Sequence, residues 1–250
     1  MILNKTNKII ILGPCALEDY DQIESVAAMA QSIGVTYLRT QVFKPRTSPD
    51  SFQGLGEKGI DVIKKLHSNY SEMKFVCEVC SEAHFETVKE TANIIQIGAR
   101  NMQNFELLKY ISKNFDPSTH DYVLLKRGFA NTYNEWIQAA NYLLGDKVKK
   151  ENLLLCERGS RSLTSDTGVS LDFINALKAK NEGYQVIIDP SHGSKKSDYV
   201  LPLAKASLAM DFKGLIVEVH PRPSESVSDK DQAISIEDCK SFFNELDLNE

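Results

Sequence analysis

The chain has no run approaching the ~20 consecutive apolar residues that a membrane-spanning helix requires, which excludes an α-helical membrane protein. Its first residues, Met1-Ile2-Leu3-Asn4-Lys5, hold too short an apolar stretch for a secretory signal, and the next apolar run, 9–12, is only strand-length. Basic surplus is also missing: 29 Lys and Arg stand against 34 Asp and Glu, a net charge of −5. General attraction to nucleic acid or to an anionic membrane is therefore excluded, and any anion site must be a local gathering of cations. Cysteine is scarce, five residues, odd in number and scattered, so no disulfide framework is expected and a cytoplasmic location fits. There is no Pro/Gly/Ser-rich linker and no low-complexity segment to divide the chain.

What is present is the composition of a globular protein, 42% hydrophobic and 25% charged, able to bury a full core. Short β-branched runs at 8–12, 36–39, 74–79, 94–97, 122–126, 152–156, 185–189 and 214–219 alternate with amphipathic, helix-length stretches. The latter lie near 21–32, 57–68, 82–90, 105–113, 134–144, 167–180, 199–210 and 236–246. Nearly all-apolar strands such as Ile9-Ile10-Ile11-Leu12 and Val186-Ile187-Ile188 belong to a sheet buried on both faces, hence parallel. Strand–helix pairs at this spacing predict an α/β fold, a closed (β/α)8 TIM barrel forming a single domain over 1–250; a doubly wound open sheet is the alternative.

The polar groups support the barrel independently. Cys15, Arg39, Glu78, Arg100, Lys126, Arg158, His192 and Glu218 each fall at or just past the C-terminal end of one predicted strand, the face on which barrel enzymes keep their chemistry. Phe43-Lys44-Pro45-Arg46-Thr47-Ser48 sets two cations and a hydroxyl side by side, a grip for phosphate or carboxylate. Cys15 in Gly13-Pro14-Cys15, His192 in Asp189-Pro190-Ser191-His192-Gly193, Glu218 in Glu218-Val219-His220-Pro221 and Asp229 in Ser228-Asp229 offer mixed S, N and O ligands to one divalent metal. Cations for anionic substrates beside such a metal point to carbon–carbon bond chemistry on phosphorylated metabolites.

With these residues assembled, the chain resembles the 3-deoxy-D-arabino-heptulosonate 7-phosphate (DAHP) synthase family, in its short branch, which is itself similar to the 3-deoxy-D-manno-octulosonate 8-phosphate synthases. Further motifs carry the resemblance: Ser51-Phe52-Gln53-Gly54, Ile97-Gly98-Ala99-Arg100-Asn101, Leu125-Lys126-Arg127-Gly128 and Cys156-Glu157-Arg158-Gly159. The resemblance implies a metal-dependent transferase that condenses phosphoenolpyruvate with erythrose 4-phosphate, releases phosphate and opens the shikimate pathway to the aromatic amino acids. It implies Cys15, His192, Glu218 and Asp229 as ligands of Mn, Fe, Co or Zn. Arg100, Lys126 and Arg158 would clasp phosphoenolpyruvate, with Arg39 and Lys44 completing its contacts, and Arg46 and Thr47 would take the phosphate of the aldose. Glu78 would hold a water near the reacting carbons, and metal-bound water, Glu78 and Lys44 are the candidates for moving the proton. A homodimer or homotetramer is implied as well. With single helices filling the connections, no added regulatory domain and no response to aromatic amino acids, chorismate or prephenate are expected.

Two departures from the family pattern bear on the aldose side. Arg39 is followed by Thr40-Gln41-Val42 where small residues are usual, and Asp229 is followed by Lys230 instead of Gly. They leave open an octulosonate-type or specialised-metabolism enzyme that uses another aldose phosphate; the Lys44-Pro45-Arg46-Thr47-Ser48 stretch favours the four-carbon sugar. A non-catalytic relative that only binds phosphorylated metabolites is a third reading, disfavoured because the ligands and the cation clamp are all present. Cys77 and Cys80 point to opposite faces of a predicted strand and make no metal or redox pair. Cys156 and Cys239 are expected to pack, His67, His84 and His120 to lie on surfaces, and His220 to support Glu218 or the core.

Overall fold

The protein was analysed as a computed structural model that describes residues 7–246. Eight strands, β1 (Ile9–Gly13), β2 (Tyr37–Arg39), β3 (Lys74–Val79), β4 (Ile94–Ile97), β5 (Tyr122–Lys126), β6 (Leu153–Glu157), β7 (Gln185–Ile188) and β8 (Gly214–His220), pair in parallel in chain order. The first and last also pair, from Ile9 opposite Gly214 to Gly13 opposite Glu218, which closes the sheet. The fold is thus the (β/α)8 barrel expected. Its outer ring is α1 (Tyr20–Ile33), α2 (Glu57–Asn69), α3 (Glu82–Val88), α4 (Phe105–Asn114), α5 (Tyr133–Leu143), α6 (Phe173–Asn181), α7 (Val200–Ala209) and α8 (Ile236–Glu245).

Strand alternation divides the core. Ile9, Ile11, Val76, Ile94, Leu124, Leu154, Cys156, Ile187 and Ile216 fill the inside of the barrel. Their neighbours Ile10, Leu12, Cys77, Ile95, Val123, Leu125, Leu155, Ile188, Leu215 and Val217 pack outward against the helices. Both faces of each strand are therefore apolar, which is why the strands read as unbroken hydrophobic runs. Each fully buried aliphatic side chain contributes roughly 1.5–3 kcal/mol. Side chains set the helix starts: Asp19, Ser81, Asn104, Asp172 and Ser235 each accept from a backbone N–H in the first turn, and Thr132 and Glu135 form a reciprocal capping box.

The main departure from the sequence expectation lies between β6 and α6. The stretch 167–172 is not helical; Val169–Ser170 pairs antiparallel with Ser160–Arg161 to form a small hairpin, and the helix begins only after its cap at Asp172. Gly168, at φ 70°, provides the left-handed turn. A short helix, Pro190–Ser194, was also not anticipated, although Asp189 as cap and Pro190 at the first position are its usual sequence signal. His120, expected on the surface, is buried: Nδ1 accepts from the Asp116 N–H and Nε2 faces the Lys89 carbonyl at 3.0 Å, so it braces a loop.

Candidate active site and metal centre

The inward parity that fills the barrel changes character at the C-terminal mouth. The next inward positions after Ile11, Tyr37, Val76, Ile94, Leu124, Cys156, Ile187 and Ile216 are Gly13, Arg39, Glu78, Gln96, Lys126, Arg158, Asp189 and Glu218. One step of strand alternation carries the chain from apolar filling to a ring of ionisable and amide groups. Gly13 is the exception, and it admits nothing larger: a Cβ there would lie 2.4 Å from the Arg39 carbonyl oxygen.

Cys15, His192, Glu218 and Asp229, ligand candidates drawn from four separated segments, come together with their donor atoms within 4.8 Å of one another. Cys15 Sγ donates to Asp229 Oδ2 at 2.7 Å, and His192 Nε2 lies 3.4 Å from Glu218 Oε1. That spread is close to the span set by metal bonds of about 2.0–2.3 Å, so the residues fit a divalent ion with mixed S, N and O donors. Supporting contacts hold the candidates in place. Asp189 Oδ2 is 2.8 Å from His192 Nδ1. Burial alone would raise the Asp189 carboxyl, but His192 and Lys126 hold it well below its usual value. An ionised Asp189 only accepts, so His192 carries its proton on Nδ1 and leaves the Nε2 lone pair free to ligate. Burial also lowers the His192 pKa, which favours that neutral form.

Glu218 is fully buried and held at both oxygens: Arg39 donates to Oε1 at 2.7 Å and Gln232 Nε2 to Oε2 at 2.6 Å. Arg39 is itself buried and also donates to the carbonyls of Gly13 and Pro14, so much of its capacity goes to the ligand set. Burial pushes the Glu218 carboxyl up, yet His192 and Arg39 outweigh it and leave the pKa lowered. Burial drives the Cys15 thiol up to about 12, with Glu218 and Asp229 adding to the effect while Lys44 and Arg39 oppose it. A metal must therefore displace a proton from Cys15.

Asp229 itself takes the left-handed conformation, φ 52° and ψ 35°, while Lys230 begins a 3₁₀ turn, Lys230–Gln232. The absence of glycine at Lys230 thus costs no backbone strain, because the positive φ sits one residue earlier, on an aspartate that tolerates it. The other departure is likewise accommodated. Thr40 is buried against Cys77, their side-chain O and S 3.4 Å apart, and Gln41 Oε1 accepts from the Glu78 N–H at 3.0 Å.

Beside the four ligand candidates lies an inner compartment of about 40 Å³, lined by Arg39, Lys44, Arg100, Lys126 and Arg158 together with Glu78, Gln41, Gln96 and Phe129. Lys126 Nζ donates to Asp189 Oδ2 at 2.7 Å, and Gln96 Nε2 donates to Glu78 Oε2 at 2.9 Å. The guanidinium carbons of Arg158 and Arg100 stand 4.8 and 5.3 Å from the Phe129 ring centroid, a stacking that holds two like-charged groups side by side. Glu78 presses so close to Gly98 that a Cβ there would meet Oε1 at 2.0 Å. Outside lies a wider cleft of about 610 Å³ that includes Arg46, Thr47, Ser48, Ser51, Lys195 and Lys230. Arg100 donates to Thr47 Oγ1 at 3.3 Å, linking the two spaces, and Lys44 Nζ stands 4.0 Å from Asp229 Oδ2. Phe43 stacks on the His84 ring at 3.7 Å, centroid to centroid, and so supports the Lys44 segment.

Asp189, Gln96 and Gln232 escaped the sequence reading. Asp189 and Gln96 were findable, since both occupy the inward parity of their strands; Gln232 had no local signal, because only the loop after β8 brings it to Glu218.

Cations converging on a small compartment beside a metal cluster, at the mouth of a parallel barrel, mark an enzyme that handles anionic metabolites. The chain belongs to the DAHP synthetase I family, whose model matches residues 2–248. It is 40% identical over 238 residues to phospho-2-dehydro-3-deoxyheptonate aldolase of Thermotoga maritima, covering 95% of this chain and 68% of that protein. The crystal structure of the Thermotoga maritima DAHP synthase superposes with a TM-score of 0.87 at 39% identity, over 96% of this chain and 68% of that one. A truncated form of the Thermotoga maritima synthase gives a TM-score of 0.82 at 35% identity, covering 96% and 85%. The 2-dehydro-3-deoxyphosphooctonate aldolase of Fusobacterium nucleatum is more distant, 25% identical over 257 residues, or 96% of this chain and 89% of that protein.

Proposed function

We propose that this protein is a 3-deoxy-7-phosphoheptulonate synthase: it condenses phosphoenolpyruvate with erythrose 4-phosphate and water to give 3-deoxy-7-phosphoheptulonate and inorganic phosphate. The observation that carries the reading is the family match over 2–248 in a barrel whose mouth joins a cation-lined compartment to a wider cleft bearing Lys44-Pro45-Arg46-Thr47-Ser48. Phosphoenolpyruvate carries about three negative charges near neutral pH, and Arg100, Lys126, Arg158 and Lys44 supply the neutralising wall. Arg46 and Thr47 line the outer cleft, and a guanidinium beside a hydroxyl suits the phosphate of the aldose. In this reading the inner compartment and the outer cleft bring C3 of the enol phosphate to the aldehyde carbon, and such alignment can supply much of a rate enhancement.

C3 bonds to the aldehyde carbon, water oxygen bonds to C2, and the C2–O bond to phosphate breaks. Of the water's two protons, one ends on the new hydroxyl at the former aldehyde carbon and the other leaves with phosphate; the water oxygen remains as the C2 carbonyl. A divalent ion on Cys15, His192, Glu218 and Asp229 supplies Lewis-acid polarisation when bound. Mn, Fe, Co or Zn suits this donor set. Assembly as a homodimer or homotetramer in the cytoplasm completes the reading; light scattering on the purified protein tests the assembly.

The deciding assay is phosphate release from phosphoenolpyruvate with erythrose 4-phosphate against arabinose 5-phosphate, with and without added Mn(II). Preference for erythrose 4-phosphate supports the reading. Preference for the five-carbon sugar makes the chain an octulosonate-type enzyme, and no release with either sugar removes catalysis.

A further inference from the structure

Gln41 stands where the family pattern has small residues, and it is buried to 1% exposure at the floor of the inner compartment. Its orientation is fixed by chemistry, because the Glu78 backbone N–H can only donate and so requires Oε1 on its side, at 3.0 Å. The Gln41 amide nitrogen is then left buried with no hydrogen-bond partner among the described residues. Gln96, also 1% exposed, shows the complementary case: its Nε2 donates to Glu78 Oε2 at 2.9 Å, which leaves Oε1 buried and without a partner. An unsatisfied buried donor and an unsatisfied buried acceptor each cost about 1–3 kcal/mol, and both line one small compartment with Glu78 between their anchoring bonds.

The pairing of a free donor with a free acceptor selects the occupant. A phosphate or carboxylate oxygen of ionised phosphoenolpyruvate satisfies Gln41 Nε2–H but has no proton to offer Gln96 Oε1. A water molecule satisfies both and can also donate to Glu78. The compartment, about 40 Å³, admits a water, and three polar partners are the usual number for a buried one. We propose that Gln41 is a positioning residue that, with Gln96 and Glu78, holds the water consumed in the reaction. Gln41 exchanges no proton; it orients the water oxygen by one donated hydrogen bond. The inference rests on the function proposed above, and it assigns to the altered Thr40-Gln41-Val42 segment a role on the water side of the site.

Two variants separate this role from a structural one. Gln41→Met fills the space but removes donor and acceptor; Gln41→Glu keeps an acceptor for the Glu78 N–H and loses the amide donor, but it also brings a negative charge into the compartment, so it is read on kcat alone. Both are expected to fold, as judged by thermal melting, and to lower kcat by about tenfold or more; in Gln41→Met, which adds no charge, KM for phosphoenolpyruvate stays within about twofold. The solvent isotope effect on kcat should rise as water addition becomes slower. Where Gln41→Met fails to fold, Gln41→Glu decides. Unchanged kcat in a folded variant overturns the proposal, as does a raised KM for phosphoenolpyruvate with kcat retained, which would mean direct contact with substrate. A crystal structure of the wild type supplies a readout independent of activity: an ordered water within hydrogen-bond distance of Gln41 Nε2 and Gln96 Oε1, lost in Gln41→Met. Absence of that water overturns the inference even in an active enzyme, whereas its presence in a chain inactive on both sugars sinks the proposed reaction and leaves the water site standing.

Discussion

The two ends of the barrel handle charge in opposite ways. At the strand starts, charges lie at the surface and find simple local partners. Asp211 receives hydrogen bonds from Lys8 at 2.6 Å and Lys180 at 3.0 Å, and Asp121 receives them from Lys74 at 2.8 Å and the Tyr37 hydroxyl at 2.9 Å. At the strand ends, Arg39, Lys126, Arg158, Asp189 and Glu218 are nearly buried, share partners, and leave amide groups unpaired. Surface pairs of the first kind contribute little to stability. Buried groups of the second kind cost desolvation and repay it only when every partner is in place, so the mouth is arranged for binding more than for stability. One architecture thus carries a tolerant end and a demanding one.

The sharpest test of that contrast is Glu218→Ala. It strips the buried Arg39 of its partner and removes a candidate metal ligand, so a stability loss of about 3–5 kcal/mol and loss of bound metal are expected. Chemical denaturation and metal analysis measure both; a loss below about 1 kcal/mol would place the mouth with the surface pairs.

Metal dependence comes next. Incubation with EDTA should abolish turnover and Mn(II) or Co(II) should restore it, while Cys15→Ser should weaken binding strongly because a hard hydroxyl replaces a thiolate. Since the buried Cys15 thiol is raised to about 12, the ion displaces its proton throughout the neutral range. Apparent affinity should therefore rise with pH, approaching tenfold per unit for one released proton. Competition titrations at about pH 6.5 and about pH 8.5 check the sign, and equal affinities would show that no proton is displaced.

Within the mouth, Arg158→Ala should raise KM for phosphoenolpyruvate and lower kcat, whereas Arg46→Ala should first raise KM for the aldose phosphate, each by about tenfold or more. Steady-state kinetics with each substrate varied in turn would expose a reversed assignment of the inner and outer spaces.

The smallest effect belongs to the far end. Asp211→Asn should leave turnover unchanged and cost less than about 1 kcal/mol, the shift being discounted because the carboxylate is largely exposed. Hydrogen bonds from Lys8 and Lys180 hold the Asp211 carboxyl at about 2, below its ordinary value. Its contribution is present above the unfolded pKa, about 4, and fades as pH falls toward about 2. Thermal melts of wild type and variant should differ at neutral pH and converge in acid; a gap that widens in acid would reverse the sign.

Much of this was legible in the amino-acid order because a parallel barrel is a repeating local instruction. Apolar runs such as Ile9-Ile10-Ile11-Leu12 set strands buried on both faces, and capping residues such as Asp19 and Thr132 set the helix starts. The polar residue at each strand end marked the working face, and the four ligand candidates were readable as types that suit a metal. What stayed hidden depends on neighbours distant in the chain. The hairpin of Ser160–Arg161 with Val169–Ser170 displaced a predicted helical turn through cross-strand pairing that no local window contains. Arg39 read as a substrate contact; that it also holds Glu218, 179 residues away, follows from closure of β1 on β8, and the loop after β8 brings Gln232 to the other oxygen. That Gln41 and Gln96 each spend one amide end on Glu78, and leave the other without a partner among the described residues, is decided only where three strands meet. Strand period and cap chemistry are properties of short segments; the partner left to a buried polar atom is a property of the closed barrel.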